Sequence, residues 1–428
     1  MLGQDGPHAH GHDLNGSQGL ARMTTVDGSG GTPAANGRAS RRKVTGMPNT
    51  PEVTTSGGES PPEGEDVLTP RPRTGRRSGL TVAVTGAAGL VGVALMRRLL
   101  DNADVGKIVA IDIRRGDVEG VTWRIGDVRD PVLAQRLAGV DAVVHLALDH
   151  SLESPAAERT ALNVRGTQTV VTAAAAAGVS RMIVVTGAAV YGALAENPTP
   201  LAEDAPLRAP SEGILADLLE IESVAEAARR VHPGLDVTVV RPAALVGPGV
   251  DTLVTRHFSA PRLLCIRDAA PAWQFCHVED LASALEYAAL GKVSGIVTVG
   301  SDGYLEQARV EQLSGMKRVE VPAAFAFATA ERLHRLGVTP APASELAYVM
   351  HPLVVSSATL REAGWVAASA NAANLRVVLD EVRGDHTLVG RRIGKRDATV
   401  AGASAAGATV AVLGAAAFVR AARRARSR

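Results

Sequence analysis

Leu80-Thr81-Val82-Ala83-Val84-Thr85-Gly86-Ala87-Ala88-Gly89-Leu90-Val91-Gly92 decides the reading of this chain. Its first six residues are short, apolar and β-branched, the composition of a parallel strand buried on both faces. Glycines follow at the spacing G-x-x-G-x-x-G. An amphipathic run, Leu90 to Leu100, comes next, with Leu95, Leu99 and Leu100 set against Arg97 and Arg98. Strand, glycine turn and helix in that order read as a dinucleotide-binding unit. Gly86 permits the tight turn out of the strand, Gly89 lets the backbone approach a pyrophosphate, and Gly92 lets the helix pack closely on the sheet. The first turn, with Leu90 and Val91, offers free N–H groups and a partial positive charge to the phosphates.

Asp112 follows Gly92 by twenty residues, at the end of a second strand, Lys107–Ile111. A carboxylate there accepts hydrogen bonds from ribose hydroxyls and repels a 2′-phosphate, so NAD is favoured over NADP. Arg114 and Arg115 pull the other way. Asp127, in Gly126-Asp127-Val128, stands where it can accept from an adenine amino group; it also reads as a cap for the turn into Asp130-Pro131.

Strands then fit Val121–Ile125, Ala142–Leu146, Met182–Thr186 and Val237–Arg241, and helices fit Val132–Ala138, Ala156–Ala177 and Ser211–Val231. That alternation predicts an α/β fold, a doubly wound parallel sheet of Rossmann type. Beyond Pro242 the alternation weakens, and helices are expected at Val278–Leu290, Pro322–Leu336 and near Leu375–Val382. The division expected is a tail (1–79), an NAD-binding domain (80–245), a smaller mixed substrate lobe (246–390) and a basic-flanked apolar helix (391–428).

Residues 1–79 hold 15 Gly and 8 Pro and no Phe, Trp or Tyr, so they cannot bury enough surface to offset chain entropy and read as disordered. His8, His10 and His12 alternate there without a further partner, and no metal site is read from them. Met23 and Met47 are alternative starts. The chain of 428 residues has 45 Lys plus Arg against 44 Asp plus Glu, which leaves no basic field to hold a nucleic acid. Two cysteines, Cys265 and Cys276, exclude a disulfide scaffold, fit a reducing compartment and read as free thiols in neighbouring strands. With no signal peptide pattern, the folded part is expected in the cytoplasm.

The blocks TGAAGLVG (85–92), Asp112, GDVRD (126–130), VVHLA (143–147), NVRGT (163–167), VVTGAAVYG (184–192), RPAALVGPG (241–249) and FCHVEDLASAL (275–285) resemble the extended short-chain dehydrogenase/reductases, the NAD-dependent epimerases and dehydratases. The resemblance covers about 80–310. It implies NAD on the Rossmann domain, contacted by Val128, Leu146 and Ala147 besides the glycine loop, a small-molecule substrate in the C-terminal lobe, and a homodimer formed through two long helices.

The family's catalytic pair does not carry over. It is a Tyr and a Lys four residues later, and position +4 here is Ala195, Gly291, Ala308 and Pro352 after the four tyrosines. Matching the helix by Pro210-Ser211 and Glu220 puts Glu212 at the Tyr position and Ala216 at the Lys position; the Ser position falls on Gly187, beside Thr186. Glu212 and Thr186 are therefore the candidate catalytic residues. Glu212 would exchange the proton and Thr186 would hold a substrate oxygen, against the plainer readings of a first-turn helix carboxylate and a strand-end hydroxyl. Asp217 and Glu220 read as the solvated helix face, His145 as a packed core histidine, His277 as ordering the lobe junction, and Arg256 and Arg262 as surface or ion-pair residues where the family grips a diphosphate. Two functions stay open: an enzyme on a nucleotide- or lipid-linked sugar or similar substrate with atypical acid/base groups, and a non-catalytic NAD-binding sensor or scaffold.

Ala398 to Val419 is a run of 22 uncharged residues between basic clusters. It is long enough to span a bilayer, suited also to lying on anionic lipid at the inner membrane face, and readable as an ordinary partner-bound helix.

Overall fold

A computed structural model describes residues 79–151, 154–339 and 341–392, the side chains of 382–392 aside. The expectations for the tail and for 398–419 lie outside these residues. The chain opens with β1 (Leu80–Thr85), α1 (Leu90–Asp101), β2 (Val105–Asp112), β3 (Thr122–Ile125), α2 (Leu133–Arg136) and β4 (Ala142–His145). A helical run follows as α3 (Ala156–Thr160), one π turn (Ala161–Arg165) and α4 (Gly166–Ala176), then β5 (Arg181–Val185), a 3₁₀ turn (Ala188–Tyr191), α5 (Gly213–Val231) and β6 (Asp236–Pro242).

The rest comprises β7 (Ala244–Val246), α6 (Leu253–Ser259), β8 (Leu263–Ile266), β9 (Ala272–Trp273), β10 (Phe275–His277), α7 (Val278–Ala289) and β11 (Ile296–Val299). It continues through β12 (Leu305–Glu306), α8 (Gln307–Ser314), β13 (Arg318–Val321), α9 (Ala323–Arg335), a 3₁₀ segment (Ala343–Val349), α10 (Ala358–Glu362) and α11 (Asn371–Arg392).

Seven strands form one sheet in the order β11-β6-β5-β4-β1-β2-β3, and every pairing is parallel. The period-two rule sets which side chains go to which face. Val82, Val84, Ile108 and Ala110 join the core under α1 and α7, while Ala83, Val109 and Ile111 join the core under α2, α4 and α5. Both faces are apolar because both are covered, which is why the strands read as continuous hydrophobic runs. Helix α1 buries Leu95 and Leu99 one turn apart, with Gly92 and Met96 on the same side.

Three features differ from the sequence reading. Strand β11 and helix α7 lie beyond residue 245, yet β11 hydrogen-bonds to β6 and α7 packs into the core beside α1. The cut at 245 therefore does not separate sheet from lobe, because the chain returns to the sheet. The run Ile296-Val297-Thr298-Val299 between Gly295 and Gly300 carried the strand signal. Asp217 is buried, not solvated: its carboxylate accepts from Arg159 Nε at 2.8 Å, Thr160 Oγ1 at 2.7 Å and Asn163 Nδ2 at 3.2 Å. Glu220 is exposed as read. Cys265 and Cys276 are free but not in neighbouring strands: β8 pairs with β13, and β10 with β7.

The lobe is built from β8 with β13, β9 with β12, and the helices around them. Its core gathers aromatics that are scarce elsewhere: Phe258 stands 5.1 Å from Trp273 and 6.3 Å from Phe275. His277 caps α7, its Nδ1 accepting from the Glu279 N–H at 3.2 Å.

Candidate active site

The glycine loop leaves β1 at Gly86, whose φ of +64° suits glycine; a Cβ there would come within 2.5 Å of the Leu146 carbonyl. At Gly92 a Cβ would meet the Gly86 oxygen at 2.6 Å, so helix and loop touch backbone to backbone. The N–H groups of Leu90, Val91 and Gly92 open α1 without an intrahelical partner. Asp112 Oδ2 accepts from the Ala88 N–H at 3.0 Å, tying the end of β2 to the loop. Its other oxygen accepts from the Arg114 N–H at 3.2 Å.

The 146–147 backbone is set by a buried relay. Thr167 Oγ1 donates to the Asn163 carbonyl at 2.5 Å, so it must accept from His145 Nε2, 3.1 Å away. Nδ1 is then the acceptor, and Thr85 Oγ1 donates to it at 2.7 Å. Thr85 Oγ1 in turn accepts from the N–H groups of Leu146 at 3.2 Å and Ala147 at 3.4 Å. Burial pushes the His145 ring down to about 4, which keeps it neutral and this relay fixed. His145 is thus a core histidine with a positioning task.

Asp127 is partly exposed and held by Arg129, whose Nε and backbone N–H donate at 3.0 and 2.8 Å; the guanidinium beside it holds its carboxyl below the usual range. Val128 is buried against Gly166, whose added Cβ would lie 3.2 Å from its Cγ2.

A cavity of about 470 Å³ begins at Gly86, Gly89, Leu90, Val91, Gly92 and Leu146 and runs past Thr186 and Ala244 to Trp273, Glu345 and Tyr348. No arginine or lysine lines it among the described residues. Asp251 does, but it is paired with Arg256, Nε to Oδ1 at 2.6 Å. Arg256 is thus an ion-pair residue, and Arg262 is exposed and away from the cavity.

Of the two candidate catalytic residues, Thr186 lines the cavity but its hydroxyl donates to Glu222 Oε1 at 2.7 Å. Glu222 also holds Arg241 Nε and Nη2, each at 2.8 Å, and Arg241 Nη1 donates to the Tyr191 hydroxyl at 2.8 Å. Thr186 therefore belongs to a buried ionic network behind the site. Glu212 caps α5, is exposed, and is not among the residues lining the cavity. A helix-start carboxylate facing water has nothing to hold it inward.

Sequence reasoning missed Glu345 and Tyr348. Both come from the 3₁₀ segment, one turn apart, and both line the cavity. Tyr348 donates to the Ala189 carbonyl at 2.7 Å, and burial, then the Glu345 charge, pushes its hydroxyl pKa well up. Glu345 is 5% exposed and its Oε1 has no hydrogen-bond partner. Burial first, and the Glu212 charge second, raise its carboxyl to about 7. No spacing signal marks Glu345, since only tertiary packing brings residue 345 to the strand ends.

Residues 82–300 match the model of the NAD dependent epimerase/dehydratase family, just over half of the chain, and the protein belongs to that family. An uncharacterised protein of Mycobacterium tuberculosis is 30% identical over 296 residues, 65% of this chain and 78% of that one. A dTDP-glucose 4,6-dehydratase of Streptomyces griseus is 29% identical over 229 residues, 47% of this chain and 67% of that one. Among solved structures, the dTDP-glucose 4,6-dehydratase DesIV of Streptomyces venezuelae, with NAD bound, shares the fold at a TM-score of 0.55 and 23% identity, covering 72% of this chain and 98% of that one. The residues of the 86–92 loop fit a dinucleotide: free helix N–H groups, a backbone cradle that a Cβ would fill, and a carboxylate at the end of β2.

Proposed function

We propose that this chain binds NAD and uses it to oxidise or reduce a hydroxyl-bearing carbon of a sugar or similar ring, carried on a nucleotide or lipid, with acid/base groups different from the usual Tyr and Lys. The observation that carries this reading is one continuous cavity that joins the glycine loop to the lobe. When bound, NAD supplies a hydride acceptor. The chain's part is to grip the pyrophosphate on the Leu90–Gly92 N–H groups, to accept ribose hydroxyls at Asp112, and to seat the ring between Val185–Ala189 and the lobe. Asp127 and Val128 fall to the adenine end, and Leu146 and Ala147 to the relay-fixed backbone beside the nicotinamide half.

The second reading, a non-catalytic NAD-binding scaffold, is favoured by one observation: no Y-x-x-x-K exists in the sequence. Rapid mixing of NAD-loaded protein with dTDP-glucose, UDP-glucose and uncharged ring alcohols, followed at the NADH absorbance, separates the two. The enzymatic reading expects NADH to appear with at least one of them, slower than the ~10 s⁻¹ common for enzymes. No NADH with any of them leaves the scaffold. The proposal also places the protein in the cytoplasm, as a homodimer, with membrane contact through 398–419; among the described residues no helix is long and apolar enough to cross a membrane.

A further inference from the structure

We propose that the Glu345 carboxyl is the proton-exchanging group of this site, and that the ring it serves enters the cavity as an uncharged secondary alcohol or the matching ketone. This rests on the enzymatic reading above and names its missing acid/base group. The first support is position. Glu345 Oε1 lies 3.6 Å from where a Cβ on Gly213 would stand, one residue past the helix start at which the family carries its Tyr. The side chain reaches that point from the Ala343–Val349 3₁₀ segment rather than from α5. The second is the state of the carboxyl. The carboxyl lines the cavity and is 5% exposed, and its enclosed Oε1 has no hydrogen-bond partner, so no hydrogen bond to that oxygen holds the group in the carboxylate form. The third is the lining. Leu90, Leu146, Ile214, Leu218, Val254 and Leu353 supply much of the wall, and no lysine or arginine lies there among the described residues. Beyond the glycine loop, which the cofactor's own pyrophosphate takes, a second diphosphate would meet no cationic side chain among the described lining residues, and burying an unpaired charge is costly. The charged part of a substrate's carrier therefore stays outside the lobe end of the cavity.

The step balances. In the oxidising direction the carboxylate takes the hydroxyl proton, the C–H electron pair leaves as hydride to NAD⁺, and the carbon–oxygen double bond forms. The reverse returns the proton from the carboxylic acid. The groups facing Glu345 are Glu212 at the start of α5, which favours the protonated acid, His334 on α9 and Arg159 on α3, which favour the carboxylate, and Tyr348 one turn along the same segment. Arg159 is already paired to Asp217, which blunts its pull. The balance leaves the carboxyl able to exchange a proton near neutral pH.

The test compares wild type with Glu345→Gln, both loaded with NAD. Difference infrared spectra taken across the neutral range should show a protonated-carboxyl band in wild type that disappears with a midpoint near 7, and no such band in Glu345→Gln. A band that persists in the variant, or the absence of any titrating band in wild type, overturns the assignment. The second readout is NADH oxidation by cyclohexanone and 2-decalone. Wild type should turn over at least one, Glu345→Gln should lose about 100-fold or more in kcat with NAD affinity and the circular-dichroism spectrum unchanged, and Glu345→Asp should recover part. Full activity in Glu345→Gln overturns this inference and leaves the enzymatic reading standing. A wild type inert to these ketones and to sugar nucleotides overturns both. Saturable turnover of dTDP-glucose with none of the ring ketones overturns the uncharged-substrate half.

Discussion

Replacing Glu345 by glutamine should remove a pH dependence of stability that the buried carboxyl imposes. An ordinary glutamate sits at 4.5, and this one is raised to about 7 by burial and by Glu212. Below the lower value, the folded and unfolded chains both hold the proton and the group contributes nothing. Between the two values the unfolded chain ionises while the folded chain keeps its proton. Stability therefore falls as pH rises through this window, and the loss is complete above about 7. The gap, converted at about 1.4 kcal/mol per pH unit, is about 3 kcal/mol. Urea unfolding of wild type and Glu345→Gln across the acid-to-neutral range isolates this group, because every other titration cancels in the difference. The variant should gain on wild type by about 3 kcal/mol from the acid end to the top of the window. Glu212→Gln, which removes the second cause, should move the wild-type window toward lower pH. A wild-type-minus-variant difference that stays flat with pH would refute the reasoning.

Four further outcomes are expected. Arg241→Met strands the Glu222 carboxylate, buried with Thr186, and should cost about 3–5 kcal/mol in denaturant unfolding, while the double variant Arg241→Met, Glu222→Leu should recover much of it. Gly89→Val puts a branched side chain where the pyrophosphate must lie and should weaken NAD binding at least about tenfold by calorimetry, with the fold retained by circular dichroism. Thr85→Val breaks the relay from His145 to the Leu146 and Ala147 N–H groups and should cost about 1–3 kcal/mol in stability as well as NAD affinity. A chain ending at Gly394 should stay in the supernatant of a cell fractionation in which the full chain pellets with membranes; equal behaviour would rule out a membrane role for 398–419.

The first fold unit is legible in sequence because its signals are local. A β-branched run, three glycines and an apolar helical stripe act within twenty-one residues, Leu80 to Leu100, and Asp112 stands at a fixed distance along the next strand. The far edge of the sheet is less legible: β11 is four residues long and follows a lobe whose pattern had already broken down. Buried charges are harder still. Asp217 lies one turn before Ile221 on the buried face of α5, and that spacing was the available clue, but only the fold shows Arg159 arriving to pair it. Glu345 is the extreme case. Its segment has no hydrophobic period and no motif, and its place beside the α5 start follows from how the lobe folds back over the strand ends.

Calorimetric titration of the purified, nucleotide-free chain with NAD and then with NADP tests the central claim most directly. The glycine loop, the free N–H groups of α1 and the Asp112 carboxylate predict one NAD per chain, NADP at least about tenfold weaker, and a narrowing of that gap in Asp112→Ala. Failure of wild type to bind NAD, or equal binding of the two nucleotides unaffected by Asp112→Ala, would contradict it.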